Sequence, residues 1–290
     1  MSVAFYLNSV MGGLLTGLVY GLAALGLALI FNVVRVVNLA HGGMMVAGIY
    51  GATALAAARG TDPLLALPAV AAALFLAGFA LQRLLIARTG TAAEPVRLLL
   101  MLGVGLMAMG GPALLSGRAG HSPPHLPSAA DALGFGPFLV DRLELRAALV
   151  AMMVTALLVF FFNISRTGKA IRACADSPAG ARVVGLDLPR LHALAFGLGA
   201  AVTGAAGCLL AQLVELRPGL AADCLLSGLI IVLIGGLGSV GGALLGGILV
   251  GVADALAAAL LGPELRTLFG YGLLLLVLLL RPRGLLEPSR

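Results

Sequence analysis

The sequence predicts an all-α polytopic membrane protein with eight or nine transmembrane helices, some short or broken, and a small helix outside the membrane. Three observations carry that prediction. Hydrophobic residues fill 61% of the 290 positions, charged residues only 10%, and mean hydropathy is +1.11. A soluble domain holds about 45–50% apolar and about 25% charged residues, so these charges are too few to cover a water-facing surface. Second, the segments Leu64 to Leu81, Leu98 to Ser116 and Leu268 to Leu280 contain no charge at all; runs of roughly 18 apolar residues match the bilayer core. Third, the arginines sit at the ends of such runs, where membrane topology places them.

In chain order the apolar periods predict helices over 8–31, 39–58, 63–87, 97–116, 146–163, 190–213, 224–236, 242–261 and 264–281. The seventh is short. No basic region precedes the first, which reads as a membrane helix and not as a cleaved signal peptide. The whole of 1–290 forms a single transmembrane domain, interrupted by an outer loop at 117–145 and a polar loop at 164–190. The outer loop is rich in proline, and its length predicts a small folded cap.

Basic residues set the orientation. With the N-terminus outside, the inner loops hold Arg35, Arg83, Arg88, Arg97, Arg166, Lys169, Arg172, Arg182, Arg190, Arg281, Arg283 and Arg290, which is twelve of the 18 basic residues. The positive-inside rule makes that side cytoplasmic. A net charge of +6 spread in this way, away from aromatic clusters, speaks for topology and against nucleic-acid binding.

Glycine is the next signal, with 41 residues. Gly13, Gly17 and Gly21 lie four apart, as do Gly242 with Gly246 and Gly247 with Gly251. Small residues at this spacing make flat helix stripes that let backbones meet inside lipid.

Three constellations stand out from the apolar background. Asn38 and His41 share a helix face at the head of the second span, beside Gly42 and Gly43. Two readings stand: an N-terminal cap at the cytoplasmic interface, which the nearby Arg35 favours, or a polar contact with the solute pathway or a moving helix. In the 164–190 loop, Ser177 suits an N-cap, Pro178 the first helical position and Gly185 a left-handed stop, defining a helix over 178–184 outside the membrane. Upstream, Lys169 and Arg172 share one face of a second short helix, so the pair of elements is suited to docking a cytosolic partner. Third, Gly235, Gly236 and Gly238 belong to a run of five glycines in eight residues that divides the seventh and eighth apolar segments. Each costs a helix about 1 kcal/mol relative to alanine, so the run is either a tight turn or a pathway-side break.

No enzyme emerges. Gly168-Lys169 is followed by Ala170 and lacks the spacing and hydroxyl of a phosphate-binding loop, and neither HExxH nor GxSxG occurs. Cys174, Cys208 and Cys224 lack metal-ligand spacing, and no cofactor or metal is expected. Of the carboxylates, Asp254 falls inside a span, whereas Glu215 and Asp223 fall near the outer loop beside Arg217. So few ionisable groups argue against an ion-coupled carrier. If ATP powers this chain, another chain hydrolyses it.

The segments GLVYGLAALGLALIFNVVRVVNLAHGGMMVAGIYGA (17–52), GKAIRACADSPAGARVVGLDLPRLHALAFGLGAAVTGAAGCLLA (168–211) and LIGGLGSVGGALLGGILVG (233–251) closely resemble, in the same order, branched-chain amino-acid ABC transporter permeases. The resemblance implies an inner-membrane permease subunit of a high-affinity importer for leucine, isoleucine, valine or related solutes. It implies alternating access driven by separate ATPases. Its implied partners are a second homologous permease, two cytosolic ATPase subunits and a periplasmic solute-binding protein. The family's coupling loop maps onto 168–190, with Gly168, Lys169, Arg172, Ser177, Pro178, Ala181, Arg182 and Gly185 as coupling residues. Asn38, His41, Gly42, Gly43, Gly235, Gly236 and Gly238 are the expected pathway residues. Close relatives carry urea or short amides, which leaves the solute open. The alternative is a self-contained secondary carrier or channel.

Overall fold

The computed structural model describes residues 3–89, 94–116, 132–135, 138–217, 219–262, 265–282 and 284–286. Each expected span forms one helix among them: α1 (Val3–Val34), α2 (His41–Arg59), α3 (Leu67–Leu84), α4 (Glu94–Ser116), α5 (Arg142–Ile164), α8 (Leu188–Leu210), α9 (Leu220–Gly235), α10 (Val240–Leu261) and α11 (Arg266–Leu280). Between α5 and α8 stand two polar helices, α6 (Arg166–Asp176) and α7 (Pro178–Val183). Short 3₁₀ turns flank α3 at Pro63–Ala66 and Ile86–Thr89. Five of the helical segments are long and apolar enough to cross a membrane; α4, α9 and α11 supply shorter apolar stretches. The chain is an all-α polytopic membrane protein.

The helix ends explain themselves locally. Asp141, Ser165, Asp187 and Ser239 accept hydrogen bonds from Leu143, Gly168, Arg190 and Gly242 N–H at 2.8, 2.8, 3.2 and 3.0 Å. A short polar side chain thus satisfies a helix N-terminus that lipid could not.

The centre of the bundle is α1. From Gly21 to Ile30 every residue is buried, and α8 is buried along most of its length beside it. The other helices surround this pair, and α3, α4, α5 and α11 turn exposed leucine, methionine and phenylalanine outward, as lipid-facing helices do. Glycines set the closest contact. A Cβ added to Gly17 would stand 2.8 Å from the Gly247 carbonyl oxygen, and one on Gly13 would stand 2.7 Å from that of Gly251. The stripes expected on the first and eighth spans therefore face each other, backbone against backbone.

Among the described residues one departure from an all-helical chain appears. Strands β1 (Ala132–Phe135) and β2 (Phe138–Asp141) pair antiparallel, with Ala132 opposite Asp141 and Phe135 opposite Phe138. Asn8 Oδ1 accepts from Leu139 N–H at 3.0 Å, and Val140 packs with Leu15 and Ala148, so the hairpin is held on the start of α1. It occupies part of the expected cap over 117–145; residues 117–131 of that loop lie outside the described residues. At the far end of α1, Arg35 reaches α6. The hairpin and the α6–α7 pair consequently lie on opposite faces of the bundle.

Candidate functional site: a broken helix, two cavities and an external helix pair

The connection between α1 and α2 turns back into the bundle. Arg35 adopts a left-handed conformation (φ 59°), alone among the described non-glycine residues, and ends α1. Residues 36–40 then run inward. Their main chain is satisfied locally: Asn38 Oδ1 accepts from Ala40 N–H at 3.1 Å, the Asn38 carbonyl from His41 N–H at 3.1 Å, and the Ala40 carbonyl from Met44 N–H at 2.8 Å. Asn38 therefore serves a main-chain N–H of the turn, but it is not the N-cap of α2: that position is Ala40, with no side-chain bond. Gly105, the middle residue of α4, would put a Cβ 3.0 Å from Ala40 Cα, and Gly228, the middle of α9, would put one 3.0 Å from His41 Nε2. The break thus lies deep inside the protein, and Asn38 and His41 are both fully buried. This corrects the interfacial placement that Arg35 favours in the sequence.

His41 is held by Thr203 of α8, 3.3 Å from its Nδ1. The Thr203 hydroxyl donates its proton to the Gly199 carbonyl at 2.9 Å, so it accepts from Nδ1–H. In the neutral ring Nε2 is then a bare acceptor, and it has no hydrogen-bond partner. Gly42 and Gly43 are required by close approach: a Cβ on Gly42 would collide with the Ala221 carbonyl oxygen, and one on Gly43 with that of Gly105.

Of the seven expected pathway residues, Asn38, His41, Gly42 and Gly43 come together here. Gly235, Gly236 and Gly238 do not join them; they form the α9–α10 turn. The main chains of Gly235 and Gly242 abut, Gly236 and Gly238 take φ of 102° and 88°, and a Cβ on Gly238 would stand 2.9 Å from Asn32 Oδ1. Leu285 and Leu286 N–H donate to the Ile234 and Gly235 carbonyls at 2.9 and 3.1 Å, covering the turn from the other side.

Two cavities open on the hairpin face, of about 780 and 550 Å³. Tyr20 and Asp254 line both. The smaller one descends to Met45 and Gly228, the immediate neighbours of the break.

On the opposite face, α7 has the expected form. Ser177 Oγ accepts from Gly180 N–H at 3.1 Å, Pro178 begins the helix, and Gly185 closes it at φ 80°. Ala181 is its buried anchor, whereas Val183 and Val184 are 88% and 73% exposed, an apolar knob outside the apolar bundle. In α6, Gly168 is buried against α5, its Cβ position 2.7 Å from Phe162 Cα, whereas Lys169 and Arg172 face outward. Arg172 donates to Asn163 Oδ1 at 3.0 Å, and Arg182 is exposed.

Sequence reasoning passed over Thr203, a lone hydroxyl in the Ala/Gly-rich AAVTGAAG stretch, although that isolation was a usable signal. It also passed over the partners Gly105 and Gly228 and the link from Arg35 to α6, for which the sequence offers no sign.

Comparison with known proteins is consistent over the whole chain. A family model described as a branched-chain amino acid transport system / permease component matches residues 9–278. The high-affinity branched-chain amino acid transport system permease protein BraD of Pseudomonas aeruginosa is 29% identical over 293 residues, 97% of this chain and 95% of that protein. The corresponding permease protein LivH of Escherichia coli is 28% identical over 294 residues, 97% and 96% of the two chains. Among solved structures, PsaBC from Streptococcus pneumoniae in complex with Fab superposes with a TM-score of 0.54 over 96% of this chain and 92% of that one; at 13% identity the likeness concerns the fold alone.

Proposed function

The chain belongs to the family of branched-chain amino acid transport system permease components, and from that premise we propose that it is the membrane subunit of an ATP-binding cassette importer. Its solutes are leucine, isoleucine, valine or related small molecules, with urea and short amides as the alternatives. It works with a second homologous permease, two cytosolic ATPase subunits and a periplasmic solute-binding protein. It resides in the inner membrane with its N-terminus periplasmic and its C-terminus cytoplasmic, so the α6–α7 face meets the ATPases and the hairpin face meets the binding protein.

The observation that carries this reading is the capped α6–α7 pair with its exposed Val183 and Val184. Two bare valines outside the membrane-spanning helices are costly in water and suit a protein groove. Gly168, Lys169, Arg172, Ser177, Pro178, Ala181, Arg182 and Gly185 shape and present that surface. Displacement of α6 reaches the membrane through Arg35, which joins it to the segment ending at Asn38, His41, Gly42 and Gly43. Those four residues border the solute path. Gly235, Gly236 and Gly238 serve as the pivot at its inner end, with their free φ and close packing.

Co-purification from native membranes tests the assembly. An ATP-hydrolysing partner that stays bound, and ATP-dependent leucine uptake by the complex in liposomes, are the expected results. Transport by the purified chain alone, driven by an ion gradient or by diffusion, would replace this reading with a secondary carrier or channel.

A further inference from the structure

The last described residues of the chain run back over the glycine turn between α9 and α10. After α11, Pro282 cannot continue the helix, and Gly284 N–H donates to the Arg281 carbonyl at 2.9 Å. Gly284 takes a left-handed φ of 82°, and a Cβ on it would stand 2.6 Å from Gly236 Cα. Leu285 and Leu286 N–H then reach the Ile234 and Gly235 carbonyls. These carbonyls belong to the last turn of α9, where a helix leaves them without partners of its own.

Three elements therefore hold the turn: α10 through Gly242, whose main chain abuts Gly235, α1 through Asn32 beside Gly238, and the tail through Gly284 to Leu286. Their holds differ in kind. Helices α1 and α10 are locked together by the glycine stripes along their length and leave only if the bundle opens. The tail is held by two main-chain hydrogen bonds and the half-buried Leu285, with Leu286 43% exposed. Local opening starts where buried contacts are fewest. Leu237, at the tip of the turn, is 44% exposed, so water has access to replace the two N–H donors once the tail lifts.

We propose that residues 284–286 are a reversible latch on the α9–α10 turn. Closed, the latch fixes Gly236 and Gly238 in their present conformation; released, it frees the inner end of α9 to swing while the helices stay packed. This rests on the reading of Gly235, Gly236 and Gly238 as the pivot of an importer, and it names the element that controls the pivot.

Hydrogen exchange over residues 233–240, on the purified chain in lipid nanodiscs, is the primary test and needs neither partner nor solute. The Gly236 and Ser239 N–H groups bond within the turn, to the Val232 and Gly236 carbonyls, and report its opening. Leu285→Pro removes one latching N–H and speeds their exchange about fivefold or more, the scale of one ordinary hydrogen bond. Deletion of 284–290 does the same, and Leu285→Ala, which keeps the N–H, has a smaller effect. Unchanged exchange in the shortened chain overturns the proposal. Equal acceleration by Leu285→Ala and Leu285→Pro overturns it too, because side-chain packing alone then holds the tail.

A second measurement leaves the tail in place. A Cβ on Gly241 would stand 3.8 Å from Leu286 Cδ1, so Gly241→Cys with Leu286→Cys sets two thiols across the latch. The native Cys174, Cys208 and Cys224 are buried and stay as they are. Oxidation stops ATP-driven leucine uptake by the assembled importer in proteoliposomes, and dithiothreitol restores it. Full uptake by the cross-linked complex, or failure of the pair to cross-link, overturns the proposal. Failure of the importer reading is seen separately, as a wild-type complex that takes up no leucine on ATP, and exchange over 233–240 still reports on the latch.

Discussion

The guanidinium of Arg35 donates to the main-chain carbonyl of Ala175 at 3.1 Å, across 140 residues of sequence. Ala175 lies in the last turn of α6, where carbonyls have no intrahelical partner and a cation is favoured. Arg35 also holds the left-handed turn that sends the chain back into the bundle. One residue thus joins the external helix pair to the buried break.

Arg35→Gly separates these two roles. Glycine keeps the left-handed turn at no steric cost but removes the tether to Ala175. The expected outcome is a folded permease whose assembled complex hydrolyses ATP normally yet moves several-fold less leucine per ATP. Parallel assays of hydrolysis and uptake on one proteoliposome preparation measure that ratio, and an unchanged ratio rejects Arg35 as a link.

Gly42→Ala and Gly43→Ala drive a methyl group into the main-chain carbonyls of Ala221 and Gly105, which cannot rotate away. Each should cost about 1–3 kcal/mol or more as overpacking, visible as a lower midpoint in thermal unfolding of the detergent-solubilised chain. Gly103→Ala in α4 is the control, because a Cβ there meets nothing within 4 Å. That variant should be neutral or slightly stabilising, by up to about 1 kcal/mol of helix propensity.

Thr203→Val removes the oxygen that accepts from His41 Nδ1 while keeping the shape of the side chain. A buried donor left unpaired costs about 1–3 kcal/mol. The same change in a His41→Leu background should cost much less, so the two substitutions are non-additive. A double-mutant cycle on unfolding free energies checks this, and strict additivity would show that the pair does not interact.

Gly185→Pro forces a φ near −65° on a residue that sits at +80°. The stop of α7 is lost, and with it the presentation of Val183 and Val184. Uptake should fall to background while the chain still inserts at normal levels; deletion of 178–184 should do the same. Retained uptake in either variant removes α7 from coupling.

The bundle was legible in the sequence because the bilayer sets a minimum length and expels charge, so nine apolar runs return as nine helices with ends shifted by a few residues. The α7 cap was legible for a different reason: Ser177, Pro178 and Gly185 act through bonds to their own neighbours. The depth of His41 was not legible. It depends on a left-handed turn at an arginine, where no glycine marks the bend, and on glycines of α4 and α9 far along the chain. The short hairpin at 132–141 was hidden because strands of four residues carry too little alternation to register. The glycine run at 235–242 was legible as a break, yet which way it faced depended on Asn32 and on Leu285 and Leu286, which pack against it from elsewhere.

The facing stripes of Gly17 and Gly247 have a consequence for biogenesis. These residues are about 230 positions apart, and ribosomes add about 5–20 residues per second. For roughly 10–50 s, therefore, the first helix waits in the lipid for its main partner, its flat face open to any passing neighbour. A bulky substitution at Gly17 leaves the early steps of insertion untouched and fails only at closure, so its product should accumulate as inserted, unclosed chain marked for quality-control proteolysis.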